Sequence, residues 1–177
     1  MNLCEYTQFD GLGLAELVRQ REVSAGELLE LSLQAAAAVN PTLGAIIETY
    51  PDRLDGDPSE MQASDAPFAG VPFMLKDIAC TERGRLCEAG SRLLAGWRAP
   101  DDTELMRRFR DAGLVNLGRT TTSEFAGAAT VETAATGTTR NPWSVDHSTA
   151  GSSGGSAAAV ASGVVPIGHG TDGGGSI

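Results

Sequence analysis

The chain has 177 residues, 41% hydrophobic and 20% charged, which suffices for one domain with a buried core. Its formal net charge of −10 and isoelectric point near 4.5 exclude general attraction to nucleic-acid phosphates or anionic lipid surfaces unless a local basic patch offsets them. None is evident: Arg107, Arg108 and Arg110 cluster on a segment that reads as an amphipathic helix, and no stretch approaches the ~20 apolar residues that span a bilayer.

Residues 14–22 repeat apolar side chains at helical spacing. A clearer helix is predicted over 24–41, opened by a Ser24/Glu27 capping box and ended by Asn40-Pro41. Residues 43–50 read as a strand, 51–67 as an acidic, proline-bearing surface loop, and 70–78 as an apolar run of buried-strand length. The next helix, over 101–113, starts acidic and stops at Gly113, with Leu105, Met106, Phe109 and Ala112 in one stripe. Residues 114–118 read as a strand, 154–163 as a short alanine-rich helix entered from a glycine turn, and 164–170 as strand-like. Helices alternating with short apolar strands predict an α/β layered fold with a mostly buried sheet. There is no internal repeat and no obvious interdomain linker.

The start, MNLCEYTQFDG, has no basic region and carries Glu5 and Asp10, so it does not read as a secretory signal. Cys4, Cys80 and Cys87 are odd in number and lack paired metal spacing. They fit a reducing compartment better than a disulfide framework, and the expected location is cytoplasmic. Their expected role is small core filling.

Of the thirteen lysines and arginines, only Lys76, in VPFMLKD, is a lysine. A guanidinium stays charged, whereas a desolvated ammonium can lose its proton. A lysine on an apolar run is therefore a candidate neutral amine. The plainer alternative is a side chain that snorkels at a strand end and pairs with Asp77.

GSSGGSAAAVASG (151–163) places Ser152, Ser153 and Ser156 in a glycine-lined turn before a helix. Such a turn suits a phosphate cradle, yet no lysine follows as a P-loop requires, and this stretch does not fit GxGxxG. A Ser-His-Asp triad would have to draw on His147 or His169, the only two histidines. A serine hydroxyl with lysine as its base remains.

With Lys76, Ser152 and Ser176 assembled, GSSGGSAAAVASGVVPIGHGTDGGGSI resembles the amidase signature family. GVPFMLKD resembles that family's lysine segment, and TRNPW (139–143) is also typical. The resemblance implies an α/β amidase-signature fold with a mixed central sheet flanked by helices. It implies a Ser-cisSer-Lys triad in which Ser176, twenty-four positions after Ser152, is the nucleophile and Ser152 and Lys76 relay its proton. The Gly151–Ser152 bond is expected to be cis. Gly173, Gly174 and Gly175 are expected to turn N–H groups toward an oxyanion, and TSEFA (122–126) nominates Ala126 as a substrate-facing residue. Ser153 and Asp172 are expected to support the turn, Asp77 to act as a cap or ion-pair partner, and His169 receives no role.

The implied activity is amide-bond hydrolysis through a Ser176 acyl-enzyme, in the branch resembling 6-aminohexanoate cyclic dimer hydrolase. The alternatives are an ammonia-releasing component of the glutamyl-tRNA amidotransferase A type and a non-catalytic remnant. No metal or other cofactor is called for. The expected partner is a small amide, with neither nucleic acid nor membrane, and a homodimer is allowed in the full-length form. Family members run for several hundred residues and continue with arginine after this isoleucine. Residues 1–177 are thus expected to be the N-terminal part of a single amidase domain, divided into a helical region over 1–60 and a catalytic core portion over 61–177. Alone, they are expected to be inactive.

Overall fold

Side-chain caps set the starts of the first four described α-helices. The computed structural model describes residues 1–56 and 65–177. Helix α1, Leu3–Tyr6, is closed by an Asn2/Glu5 capping box. Helix α2 spans Gly11–Arg19 because the Asp10 carboxylate accepts the Gly13 N–H at 2.8 Å, three residues before the first expected apolar repeat. Helix α3, Ala25–Leu43, opens with the expected reciprocal box: Ser24 Oγ accepts from Glu27 N and the Glu27 carboxylate accepts from Ser24 N.

The expected stop of α3 at Asn40-Pro41 is corrected by the structure. Pro41 lies inside the last turn, and the helix runs on to Leu43 before Gly44 closes it at φ 58°. Proline at this position has no N–H for the carbonyl four residues back, so the last turn forgoes one helical bond, while Asn40 organises the exit through its own side chain. Its Oδ1 accepts from the N–H groups of Ala45 and Ile46.

Strand β1, Ile46–Thr49, leads into a 3-10 turn over Pro51–Asp55. The rest of the acidic loop at 57–64, and the 60/61 division between the two expected regions, lie outside the described residues. Strand β2, Pro72–Lys76, is buried along its whole length, as an apolar run in a covered parallel sheet should be. Helix α4, Glu104–Asp111, is capped by Thr103. Its buried side is Met106 with Phe109 packed against the core, while Leu105, expected in the same stripe, is exposed. Strand β3, Val115–Thr120, follows.

Four short strands were not anticipated. β4 (Glu132–Thr133) pairs with β5 (Gly137–Thr138), and β6 (Arg140–Asn141) pairs with β7 (Ser144–Ser148). Helix α5, Gly154–Ala161, and strand β8, Ile167–Gly168, complete the described elements. The expected strand over 164–170 shrinks to two paired residues. Val164 and Val165 are buried in the core, and Pro166 has no N–H to offer a ladder.

The main sheet has the order β1-β3-β2-β8, with β1 antiparallel to β3, and β2 parallel to both β3 and β8. Helices cover both faces, so the chain has the expected α/β architecture with a mixed sheet. The pleat of β2 sorts its side chains between two cores. Phe73 and Leu75 pack with Leu14, Val18 and Met106, whereas Met74 packs with Leu29, Leu117, Ala158 and Ala159. Lys76 is in phase with Met74, so its side chain leaves the sheet on the α5 side.

Two contacts bring α5 onto that face. Gly155 lies against β3 so closely that a Cβ there would fall 2.4 Å from Thr121 N. At the next residue, Ser156 Oγ bonds Thr120 Oγ1 at 2.6 Å and donates to the His169 carbonyl at 2.7 Å. The start of α5 is thereby fixed against β3 and against the exit of β8.

Candidate active site

Lys76 ends β2, and its side chain is fully buried. Its Nζ lies 2.7 Å from Ser152 Oγ, 2.8 Å from Ser153 Oγ and 2.7 Å from Thr171 Oγ1, with the Thr171 carbonyl at 3.4 Å. Burial pulls its pKa below the ordinary lysine value, and the Asp172 charge opposes that fall only in part. The snorkelling alternative is thus corrected, because Lys76 reaches inward to hydroxyls and does not pair with Asp77.

Asp77 instead turns to the opposite side of the strand. Its carboxylate accepts from Arg119 at 2.8 Å and from the N–H groups of Glu88 and Gly90. Arg119, itself buried, also binds Glu48 at 2.9 Å and Glu88 at 2.7 Å. One guanidinium therefore joins β1, β3 and the segment after β2, directly behind the amine. Its three carboxylate partners hold it firmly protonated, against the effect of burial.

Ser152 and Ser153 are buried immediately before α5, and the Gly151–Ser152 peptide bond is cis, as expected. Ser123 N donates to Ser152 O at 3.4 Å, tying the serine to the exit of β3. Ser153 bonds Thr171 twice, through Oγ–H to the carbonyl at 3.1 Å and through Thr171 N–H to Oγ at 3.3 Å. Its backbone N–H also donates to Ser176 O at 3.1 Å.

Ser152 and Ser176 share an open cavity of about 410 Å³, which Ala126, Thr171 and Gly173 to Gly175 also line. Ser176 is partly exposed, and its hydroxyl makes no hydrogen bond among the described residues. The structure therefore joins Lys76, Ser152 and Ser153 directly. Ser176 is held beside them through its backbone and the shared cavity, without an Oγ–Oγ hydrogen bond.

The three glycines differ from the expectation. Asp172 accepts the N–H groups of Gly174 and Gly175 at 2.9 and 2.5 Å, and that of Ile177 at 3.1 Å. Together with the Ser176 N–H, these donors pull the Asp172 carboxyl down to about 2. A nearby carboxylate collects donors that the sequence would aim at an oxyanion, and only Gly173 N–H is left without a hydrogen bond among the described residues. Asp172 thus shapes the turn, the supporting place expected for it.

Ala126 follows Phe125 in a left-handed pair, with φ 57° and 49°, and its N–H is used by Ser123 O. His169 is buried beside the site, with its ring edge-on to Phe109 and Nδ1 unpartnered. Burial, and then the Lys76 charge, depress its pKa to about 4. It is therefore neutral near pH 7.

The reading of the sequence missed Thr171 and Arg119. Thr171 stands beside Asp172 in GHGTDGGGS, but a threonine there carries no mark of its own until β8 is placed next to β2. Among the described residues, no group of three His, Cys, Asp or Glu side chains is placed to hold a metal ion, and no helix is long and apolar enough to cross a membrane.

The chain as a whole has counterparts of known sequence and structure. Residues 27–177 match the Amidase family profile. The chain is 41% identical over 170 residues to the 6-aminohexanoate-cyclic-dimer hydrolase of Paenarthrobacter ureafaciens, covering 95% of this chain and 34% of that protein. It is 44% identical to the A-type component of glutamyl-tRNA(Gln) amidotransferase from Acidothermus cellulolyticus, covering 93% of this chain and 34% of that protein. A solved structure of 6-aminohexanoate cyclic dimer hydrolase complexed with substrate superimposes with a TM-score of 0.85 at 40% identity, covering 93% of this chain and 34% of that one. The chain thus spans about a third of the length of the curated relatives it matches.

Proposed function

Since this chain belongs to the Amidase family, we propose that it carries the nucleophile and proton relay of an amide-bond hydrolase. Ser176 Oγ attacks the amide carbonyl carbon, forming a C–O bond as the carbonyl π pair moves onto oxygen. Ser152 takes the Ser176 proton and passes its own to Lys76 Nζ. The proton returns by the same route to the amine nitrogen as the C–N bond breaks, leaving the acyl group on Ser176. Water then releases the acid by the same relay.

The observation that carries this reading is the 2.7 Å contact between a fully buried lysine amine and Ser152 Oγ. Desolvation favours the neutral amine that a base requires. The proposed oxyanion donor is Gly173 N–H, joined by the Gly174 and Gly175 N–H groups when substrate displaces Asp172. Ala126 is proposed to line the substrate's path.

The proposed substrate is a small amide, linear or cyclic; the name of the Paenarthrobacter relative gives a cyclic dimer for that enzyme. A second reading, release of ammonia within an amidotransferase, is supported by the 44% identity to the Acidothermus protein. The full-length protein that contains residues 1–177 is assayed with 6-aminohexanoate cyclic dimer, and with glutamine in the presence of candidate partner proteins. Appearance of the linear dimer, abolished by Ser176→Ala, is the expected result; partner-dependent ammonia release would favour the second reading, and activity surviving Ser176→Ala would sink both. The free cysteines, two of them buried, support placing the protein in the reducing cytoplasm.

A further inference from the structure

We propose that Thr171 is a positioning residue for Lys76. With Ser153 it takes up both hydrogens of the neutral amine, so that the one lone pair faces the hydroxyl of Ser152. This rests on the relay proposed above and adds to it the reason why proton flow runs through Ser152 alone.

A neutral amine has two N–H bonds and one lone pair, and Nζ has three hydroxyl oxygens within 2.8 Å. The direction of each contact follows from the protons already committed. Ser153 Oγ–H is spent on the Thr171 carbonyl, so Ser153 can only accept from Nζ. Toward Thr171, Nζ meets two acceptors at once, Oγ1 at 2.7 Å and the carbonyl at 3.4 Å. An N–H aimed there is shared between two oxygens, whereas a lone pair aimed there would oppose the carbonyl's own. The second N–H thus belongs to Thr171, and the lone pair is left for Ser152.

The protonated amine fits the same cage by donating to all three oxygens. Between the two states Ser153 and Thr171 keep their roles, and Ser152 changes from acceptor to donor. Only Ser152 Oγ can therefore exchange a proton with Lys76 without the cage rearranging.

The charged surroundings of Lys76 come from two sides. The segment after β8 contributes Asp172, which favours the ammonium, and His169, which is coupled to it. On β3, Arg119 is engaged by Asp77, Glu48 and Glu88. The turn before α5, residues 151–153, contributes no ionisable side chain. Removing the Thr171 hydroxyl takes one acceptor from the ammonium and leaves these charges in place, so the lysine should deprotonate at lower pH.

The test is the rate at which a fluorophosphonate probe labels Ser176 in the full-length protein, followed by mass spectrometry across pH. For Thr171→Val the expected result is a rate about 10- to 100-fold lower at the optimum, with the acid limb shifted to lower pH. Thr171→Ser should restore both, and circular dichroism should show all variants folded. An unaltered rate and limb in Thr171→Val, or a Thr171→Ser as impaired as valine, would overturn the inference while leaving the nucleophile assignment intact. No labelling of Ser176 in the full-length wild-type protein would overturn the proposed relay, and this inference with it.

Discussion

Lys76 and Asp77 are consecutive in the chain, yet their side chains act on opposite sides of the strand. The amine lies 2.7 Å from Ser152 Oγ, and the carboxylate lies 2.8 Å from the Arg119 guanidinium. The alternation of a β-strand separates the reactive group from its anchor while keeping them one residue apart.

Replacing the amine should stop the chemistry and leave the fold. Lys76→Met is expected to lower amide hydrolysis by about 10²–10⁴-fold, the usual contribution of a positioned general base. Single-turnover kinetics measure the loss. A variant retaining near wild-type turnover would remove Lys76 from the relay.

Removing the anchor should act on stability first. Arg119→Met leaves three carboxylates facing one another around a buried position, and breaking such a network by one partner costs roughly 3–5 kcal/mol. Urea denaturation should show the midpoint falling at an unchanged slope. A loss below about 1 kcal/mol would mean that water already screens the cluster.

His169 sets an expected pH dependence of folding. Its pKa is about 4 in the folded protein against an ordinary 6.5, so between these values the unfolded chain binds more protons. The stability from this group is full above pH 6.5, falls as the pH drops toward 4, and does not change further below. The shift is worth about 3 kcal/mol. Denaturation at several pH values should show this slope in the wild type and a flatter one in His169→Phe.

Asp172 should matter through its charge and its shape. Asp172→Asn keeps one oxygen for the Gly174 and Gly175 N–H groups, whereas Asp172→Ala keeps none. Amide hydrolysis is expected to fall modestly in the asparagine variant and by about 10²-fold in the alanine variant, comparable to misplacing oxyanion donors. If alanine proves as active as wild type, the turn holds itself without the carboxylate.

The contact between α5 and β3 leaves no room for growth. Gly155→Ala puts a methyl 2.4 Å from Thr121 N, within backbone, and overpacking of this kind costs typically about 1–3 kcal/mol. Thermal melts of the variant should fall accordingly.

What could be read from the sequence was what is local or chemically singular. The Ser24/Glu27 box, the acidic start of the helix predicted over 101–113 and the apolar run of β2 each declare themselves within a few residues. Lys76 stood out because every other cation of its class is arginine, and the serine and glycine strip carried the family resemblance.

The rest depends on partners far apart in the chain. The Arg119 cluster gathers Glu48, Asp77 and Glu88 from three segments, and no spacing announces it. Thr171 acquires its place only when β8 pairs with β2. The hairpins over 132–148 are polar and mostly exposed, so they lack the alternation that marks a half-buried strand. Pro41 and Pro166 mark two boundaries that differ from expectation, the helix running on past the first and the strand ladder beginning only after the second.

Thr120 gives the amine and the hydroxyl a common datum. It pairs with Lys76 across the sheet, its own hydroxyl holds Ser156, and its neighbour Thr121 abuts Gly155. Although 76 residues separate Lys76 from Ser152, the gap between them is measured from one point on β3. Positional error accumulated along the intervening loops therefore cancels, and insertions in those loops can be absorbed while the 2.7 Å contact stays in tolerance.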